Sequence, residues 1–228
     1  FLDKCEFKNV PKVVFSNSEE NWLMLSWIKG KKIKEVNYPI CSKLLNFLDN
    51  LQTLRFINGA DSLPLASDAN LSLNSGIASL MKRLNLLSSK KEEIIFKDQS
   101  KYQILDNFFS QINLEIIKLR KFQHENNIDL DFFVPKENRI ISPSDVGFHN
   151  VIHSKNEAIF VDFEYAGWDD PCKLFCDLLL QPDHNIPIQY IDVLEFFFRK
   201  YILTINYTPD TIVFMLKLNR IKWSLIIL

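Results

Sequence analysis

A chain of 228 residues with 47% hydrophobic and 24% charged side chains has the composition of an ordinary globular protein of one or two domains, which excludes disorder and collagen-like fibre. Lysine and arginine number 27 against 28 aspartates and glutamates, a net charge of −1, so there is no basic field to hold nucleic acid and no acidic tail. Folding at this length hides roughly 70% of the surface of the unfolded chain, enough for a hydrophobic core without disulfide or zinc staples.

Val13-Val14-Phe15 is a β-branched and aromatic run, Ser16 to Asn21 is turn chemistry, and Trp22 to Ile28 is strand-like again. Residues 10 to 28 therefore predict a β-hairpin. Gly30 and the cluster Lys29, Lys31, Lys32 and Lys34 break that pattern and read as a solvated face. A helical region is predicted from near Pro39, where Leu44, Leu45, Phe47, Leu48 and Leu51 recur at helical spacing. Residues 58 to 75 read as a loop and 76 to 88 as a second helix. From Ser100 to Phe122 apolar positions three to four apart predict one long amphipathic helix. Residues 139 to 162 return to short β-type runs, and beyond Pro171 helices are predicted over about 171 to 181, 187 to 204 and 209 to 226. This order, with helices and hairpins segregated, predicts an α+β fold.

Cys5, Cys41, Cys172 and Cys176 show neither a C-x-x-C pair nor the dense spacing of a secreted scaffold, and read as reduced thiols of a cytoplasmic protein. The runs Leu178-Leu179-Leu180 and Phe196-Phe197-Phe198 fall far short of the ~18 residues that a membrane span needs, so no membrane association is expected. The chain opens without Met and stops within Leu225-Ile226-Ile227-Leu228; a fragment is expected.

The segment Ser142 to Asp170, SPSDVGFHNVIHSKNEAIFVDFEYAGWDD, carries the chemistry. With Ser154 to Glu157 as the connection, His153 faces Ala158, Val151 faces Phe160 and Asn150 faces Val161, so Asp162 lies one step from Asn150. An amide oxygen and a carboxylate then meet at the open end of one hairpin. Hard oxygen donors of this kind suit Mg²⁺, which takes one or two carboxylates and completes its shell with water and phosphate oxygens. Asp145 stands at the other end of the same loop, where it can accept a hydrogen bond from a substrate hydroxyl. Turn capping is the competing account of all three residues. His149 and His153 have H-x-x-x-H spacing but sit in a predicted loop and strand, which makes a shared zinc a poor reading; His149 reads as loop packing. His124 and His184 are isolated.

The spacing D-x-x-x-x-N followed by a hairpin and D-F is that of kinase catalytic loops. Asp145-Val146-Gly147-Phe148-His149-Asn150, then Val161-Asp162-Phe163-Glu164-Tyr165-Ala166-Gly167-Trp168 and Asp170-Pro171, resembles the aminoglycoside phosphotransferase and choline kinase-like family, of protein-kinase-like fold. Val10-Pro11 and the strands up to Leu25-Ser26-Trp27-Ile28-Lys29-Gly30 resemble the last strands of that family's N-lobe and its hinge. The resemblance implies a partial N-lobe over residues 1 to 30 and a C-lobe over 31 to 228. It also implies Asp145 as catalytic base, Asn150 and Asp162 as Mg²⁺ ligands, and backbone groups of Ser26 and Ile28 as adenine partners. Glu164 and Trp168 are candidates for the substrate or the metal's surroundings. The activity implied is an ATP-dependent transfer of the γ-phosphoryl group to a hydroxyl of a small metabolite, with ATP and Mg²⁺ as cofactors; a non-catalytic nucleotide-binding pseudokinase is the alternative. Pro143 stands where the family has a loop-bracing His, Ser144 where Gly is common, and Leu174 at the third position after Asp-Pro, where an Asp is usual. Neither a Gly-rich phosphate loop nor a strand Lys precedes the hinge.

Overall fold

The computed structural model describes residues 1–20, 22–97, 99–182 and 186–227; Asn21 of the predicted hairpin turn, His184 and the final Leu228 lie outside the described residues. The predicted hairpin forms from strands β1 (Val13–Asn17) and β2 (Trp22–Leu25), antiparallel, with Asn17 facing Trp22. Its turn is organised by the Asn17 side chain, which accepts from the amides of Glu19 at 3.0 Å and Glu20 at 3.1 Å. Phe15 stacks on Trp22, yet much apolar surface of the hairpin stays open, with Val14 61% and Phe15 55% exposed and Trp27 beyond it 92% exposed.

The lysine cluster does more than break the pattern. Lys31 and Lys32 form strand β3 and face His153 and Ile152 of β5 (Val151–Ser154), which pairs in turn with β6 (Glu157–Phe160). A ladder needs only backbone groups, and lysine is a common edge-strand residue because its charge stays in water. Gly30 lies hard against β5: a Cβ there would stand 2.5 Å from the carbonyl oxygen of His153. The Ser154 hydroxyl donates to the Lys29 carbonyl at 2.8 Å.

Six α-helices are described: α1 (Tyr38–Thr53), α2 (Leu73–Lys97), α3 (Tyr102–Glu125), α4 (Pro171–Leu180), α5 (Ile191–Phe197) and α6 (Pro209–Ile227). Asn37 caps α1 by accepting from the Ile40 amide at 3.1 Å, and Pro39 occupies the first turn. The apolar stripe of α1, Leu44, Leu45, Leu48 and Leu51, is buried in the main core. α2 runs nine residues past the predicted end at 88. Within its last part Lys91 lies 2.8 Å from Asp106 of α3 and over the Tyr102 ring. The single helix predicted over 187 to 204 divides into a 3-10 turn at Ile188–Tyr190, α5, and a π turn at Phe198–Ile202. The widened turn lets Phe197, Tyr201 and Ile202 all face the core.

Strand β4 (Ile140–Ser142) pairs with β7 (Gly167–Asp169), a short strand that the sequence pattern does not reveal. On its other side Ile141 meets the buried side chain of Gln52 in α1, which donates to the Ile141 carbonyl and accepts from its amide, both at 2.9 Å. β4 is therefore fixed on both edges just before Asp145. Among the described residues, six α-helices and three small sheets make the fold α+β. Among the described residues no helix is long and apolar enough to cross a membrane.

Candidate active site

The loop after β4 is wound by local bonds. Ser144 adopts the left-handed region at φ 67°, its amide donates to Ser142 Oγ at 3.0 Å and its hydroxyl donates to the Ser67 carbonyl at 2.9 Å. The Asp145 amide donates to the Pro143 carbonyl at 3.0 Å. Val146 and Phe148 are buried, and the Asp145 side chain between β4 and these anchors is left 40% exposed. A 3-10 turn over Phe148–Asn150 then delivers the chain to β5.

Asn150 Nδ2 donates to the Asp145 carbonyl oxygen at 3.1 Å and lies 3.4 Å from Asp145 Oδ2. The β5–β6 register matches the expected one, Val151 to Phe160 and His153 to Ala158. Its turn residues Lys155 and Asn156 both have positive φ, 46° and 70°, the geometry of the tightest hairpin turns. The Val161 amide donates to the Asn150 carbonyl at 3.0 Å, so Asp162 emerges at the open end of the hairpin. Asp162 is itself left-handed, at φ 69°. Its side chain is exposed, and partial desolvation, then the like charges of Glu164 and Asp145, hold its carboxyl above the usual range, with His149 opposing. Three carboxylates thus share one neighbourhood at the mouth of this loop. Glu164 is exposed and holds the Tyr165 hydroxyl, pushing that phenol up.

A cleft of about 590 Å³ opens beside Asp162 and Glu164, walled by Val13, Leu23 and Leu25 of the hairpin and by Leu51 and Ile141. Neither Ser26 nor Ile28 lines it. The Ser26 amide donates to the Lys12 carbonyl at 2.8 Å and its hydroxyl accepts from the Lys12 amide at 2.9 Å, so that amide is taken up in extending the β1–β2 ladder. Ile28 is half-buried on the segment between β2 and β3. The Trp168 indole does not line the cleft: its Nε1 donates to the Ala60 carbonyl at 3.0 Å, and its ring packs on the core. A second hollow, about 690 Å³ between residues 5–9 and α1, touches none of Asp145, Asn150 or Asp162.

Two further side chains reach Asp145. His149 Nε2 lies 3.2 Å from Oδ2, and Gln181 Nε2 lies 3.4 Å from Oδ1. The four-residue spacing of Asp145 and His149 is visible in the sequence; the approach of Gln181 from the end of α4 is not. His153 is exposed on β5, away from this contact.

Behind the loop lies a buried charge network. Lys173, 1% exposed, bonds Asp169 and Asp177 at 2.9 Å each, and Lys222 bonds Asp177 at 2.8 Å. Burial raises Asp169 despite Lys173. Burial also pushes on Asp177, but Lys173 and Lys222 outweigh it and the carboxyl lies low. Asp170 caps α4 through the Cys172 amide at 2.7 Å and accepts from the Tyr207 hydroxyl at 2.6 Å; burial, against those two bonds, pushes it up to about 7. A lysine and an aspartate one turn apart in the otherwise apolar run PCKLFCDLLL were the available signal for this network, since buried charges are kept only when paired.

Among the described residues no three of His, Cys, Asp and Glu converge on one metal position. The protein donors at the loop are instead one amide and one carboxylate. Asn150 Nδ2 faces Asp145, which turns its Oδ1 away from that carboxylate, and Asp162 sits in a surplus of negative charge. That donor set fits Mg²⁺, which characteristically keeps several water and phosphate ligands.

No family model matches the chain, and no curated protein matches it in sequence. Among solved structures it is similar to an aminoglycoside-3'-phosphotransferase of type VIII, with TM-score 0.50 and 15% identity over 93% of this chain and 74% of that one. It is also similar to a choline kinase from Cryptosporidium parvum Iowa II, with TM-score 0.52 and 13% identity over 98% of this chain and 66% of that one. At such identities the likeness is one of fold, and the chain spans about two thirds of the choline kinase. The fold is protein-kinase-like.

Proposed function

We propose that this chain is an ATP-dependent small-molecule kinase that moves the γ-phosphoryl group to a hydroxyl of a small metabolite, a sugar, an amino alcohol or an aminoglycoside-like molecule. The observation that carries the reading is the hydrogen bond from Asn150 to Asp145 at the start of the β5–β6 hairpin, with Asp162 directly following Val161, whose amide donates to the Asn150 carbonyl at 3.0 Å. The fold, shared with two phosphotransferase structures, supports it. Fold alone leaves the acceptor class open.

Asn150 and Asp162 would hold Mg²⁺, which when bound supplies positive charge to the phosphate oxygens. The Asp145 carboxylate, part exposed, accepts the proton of the acceptor hydroxyl as the new oxygen–phosphorus bond forms and the bond to the β–γ bridging oxygen breaks. ADP departs, and Asp145 returns the proton to water. Asn150 contributes twice, through its own oxygen and by holding the Asp145 loop. The Ser26 amide is committed to Lys12 and neither Ser26 nor Ile28 lines the cleft, so the adenine is left to the Ser26 carbonyl and the Ile28 backbone just beyond its edge, and Glu164 to the acceptor side of the cleft. Trp168, with its indole N–H on Ala60, is assigned to packing.

The test is ADP formation from MgATP by the full-length protein, with an aminoglycoside, choline and simple sugars as acceptors. Asp145→Ala is expected to lower kcat by about 10²- to 10⁴-fold, the usual worth of a positioned base, and Asp162→Ala to remove Mg²⁺-dependent ATP binding. Unchanged turnover in both variants would remove the assignment.

A further inference from the structure

We infer that His149 is a positioning residue that holds the Asp145 carboxylate in its proton-accepting orientation from within the loop. The inference rests on the kinase reading of Asp145.

Asp145 is the centre of a clamp. Its Oδ2 faces His149 Nε2 at 3.2 Å and Asn150 Nδ2 at 3.4 Å, and its Oδ1 faces Gln181 Nε2 at 3.4 Å. A carboxylate held at both oxygens cannot turn about its own axis, whereas each of these contacts alone is long and weak. Gln181 approaches from a firm base: it is 4% exposed, and its amide donates to the Asp177 carbonyl at 3.0 Å at the end of α4.

The orientation of the imidazole follows from its other nitrogen. Nδ1 is buried with no hydrogen-bond partner among the described residues. A buried N–H without an acceptor costs more than a buried lone pair with a second-rate environment. The hydrogen is therefore assigned to Nε2, on hydrogen-bonding grounds, which makes the ring a donor aimed at Asp145.

Gly147 makes room for this arrangement. Its backbone is extended, at φ −177°, a conformation open to any residue, so space is what the glycine provides. A Cβ at 147 would stand 2.6 Å from His149 Nδ1, 2.7 Å from Cε1 and 3.1 Å from Gln181 Cγ. Two members of the clamp thus pack over one missing side chain. His149 acts only through Asp145, and the reaction feels it as the angle at which the base meets the hydroxyl, where a displacement near 1 Å costs about 10²-fold.

The experiment compares His149→Ala, His149→Gln, Gly147→Ala and the Asp145→Asn background in the full-length protein, following MgATP turnover, KM for MgATP and Tm. His149→Ala is expected to lower kcat by about 10- to 100-fold with KM for MgATP almost unmoved. His149→Gln, which keeps a side-chain N–H, is expected to recover most of that loss, and Gly147→Ala to reproduce it with the histidine intact. In the Asp145→Asn background His149→Ala is expected to have no further effect on kcat. An unchanged kcat in His149→Ala, no recovery in His149→Gln, or a loss that persists undiminished in Asp145→Asn would overturn the positioning role while leaving the kinase reading in place. A wild-type protein that neither binds nor turns over MgATP would overturn the kinase reading, and the role of His149 with it.

Discussion

The Lys173 ammonium and the Asp169 carboxylate lie 2.9 Å apart with both side chains shut off from solvent. Each sits where an isolated charge would be untenable, and Asp177 and Lys222 complete a two-plus-two arrangement beneath the start of α4. Such networks stabilise little in total, because taking four charges out of water offsets most of their attraction.

Removing one member is another matter. Lys173→Met keeps the volume of the side chain but leaves Asp169 without its cation and Asp177 with only Lys222. Loss of one partner from a buried pair costs about 3–5 kcal/mol, and chemical denaturation of the variant is expected to show a loss of that size.

Asp170 makes stability depend on pH in the less familiar direction. Its carboxyl lies near 7 in the folded protein, raised by burial from an ordinary value of 3.8. Between those two pH values the folded chain keeps a proton that the unfolded chain releases. The contribution of this group is fully present below about pH 4 and is lost as pH rises toward 7, with a magnitude of roughly 4 kcal/mol. Asp170→Asn retains one oxygen for the Cys172 amide and puts an NH2 group where the second carboxylate oxygen accepted from the Tyr207 hydroxyl, whose own oxygen can accept in its place. The difference in unfolding free energy between wild type and Asp170→Asn is expected to shift toward the variant as pH goes from 4 to 8, and a constant difference would contradict the assignment.

Gln52 behaves as a substitute strand, giving Ile141 both halves of a ladder pair from the side of a helix. Gln52→Leu leaves the Ile141 amide and carbonyl buried without partners. The expected destabilisation is roughly 2–4 kcal/mol, read by urea denaturation. Because β4 leads into Asp145, kcat is expected to fall in the same variant.

The parts of the molecule written in local periodicity are legible in its sequence. The apolar spacing of α3 and the pairing of His153 with Ala158 follow from alternation and turn chemistry alone. Asp145, Asn150 and Asp162 are legible too, since a hairpin brings positions 150 and 162 to one end whatever surrounds it. What escapes the sequence is contact between distant side chains. Gln181 meets Asp145 across 36 residues, and Gln52 meets β4 across 89; neither leaves a periodic trace. The charged run Lys90-Lys91-Glu92-Glu93 interrupts the apolar spacing of α2, and the contact of Lys91 with Asp106 and Tyr102 of α3 is again one between distant side chains.

The crossing of Gly30 over β5 has a mechanical consequence. With no room for a Cβ beside the His153 carbonyl, Ser154 bonded to Lys29 and Lys31 laddered to His153, this joint is a rivet. The wall of the cleft that the β1–β2 hairpin forms is thereby tied, through residues 29–32, to the same β5–β6 hairpin that carries Asn150 and Asp162 at its open end.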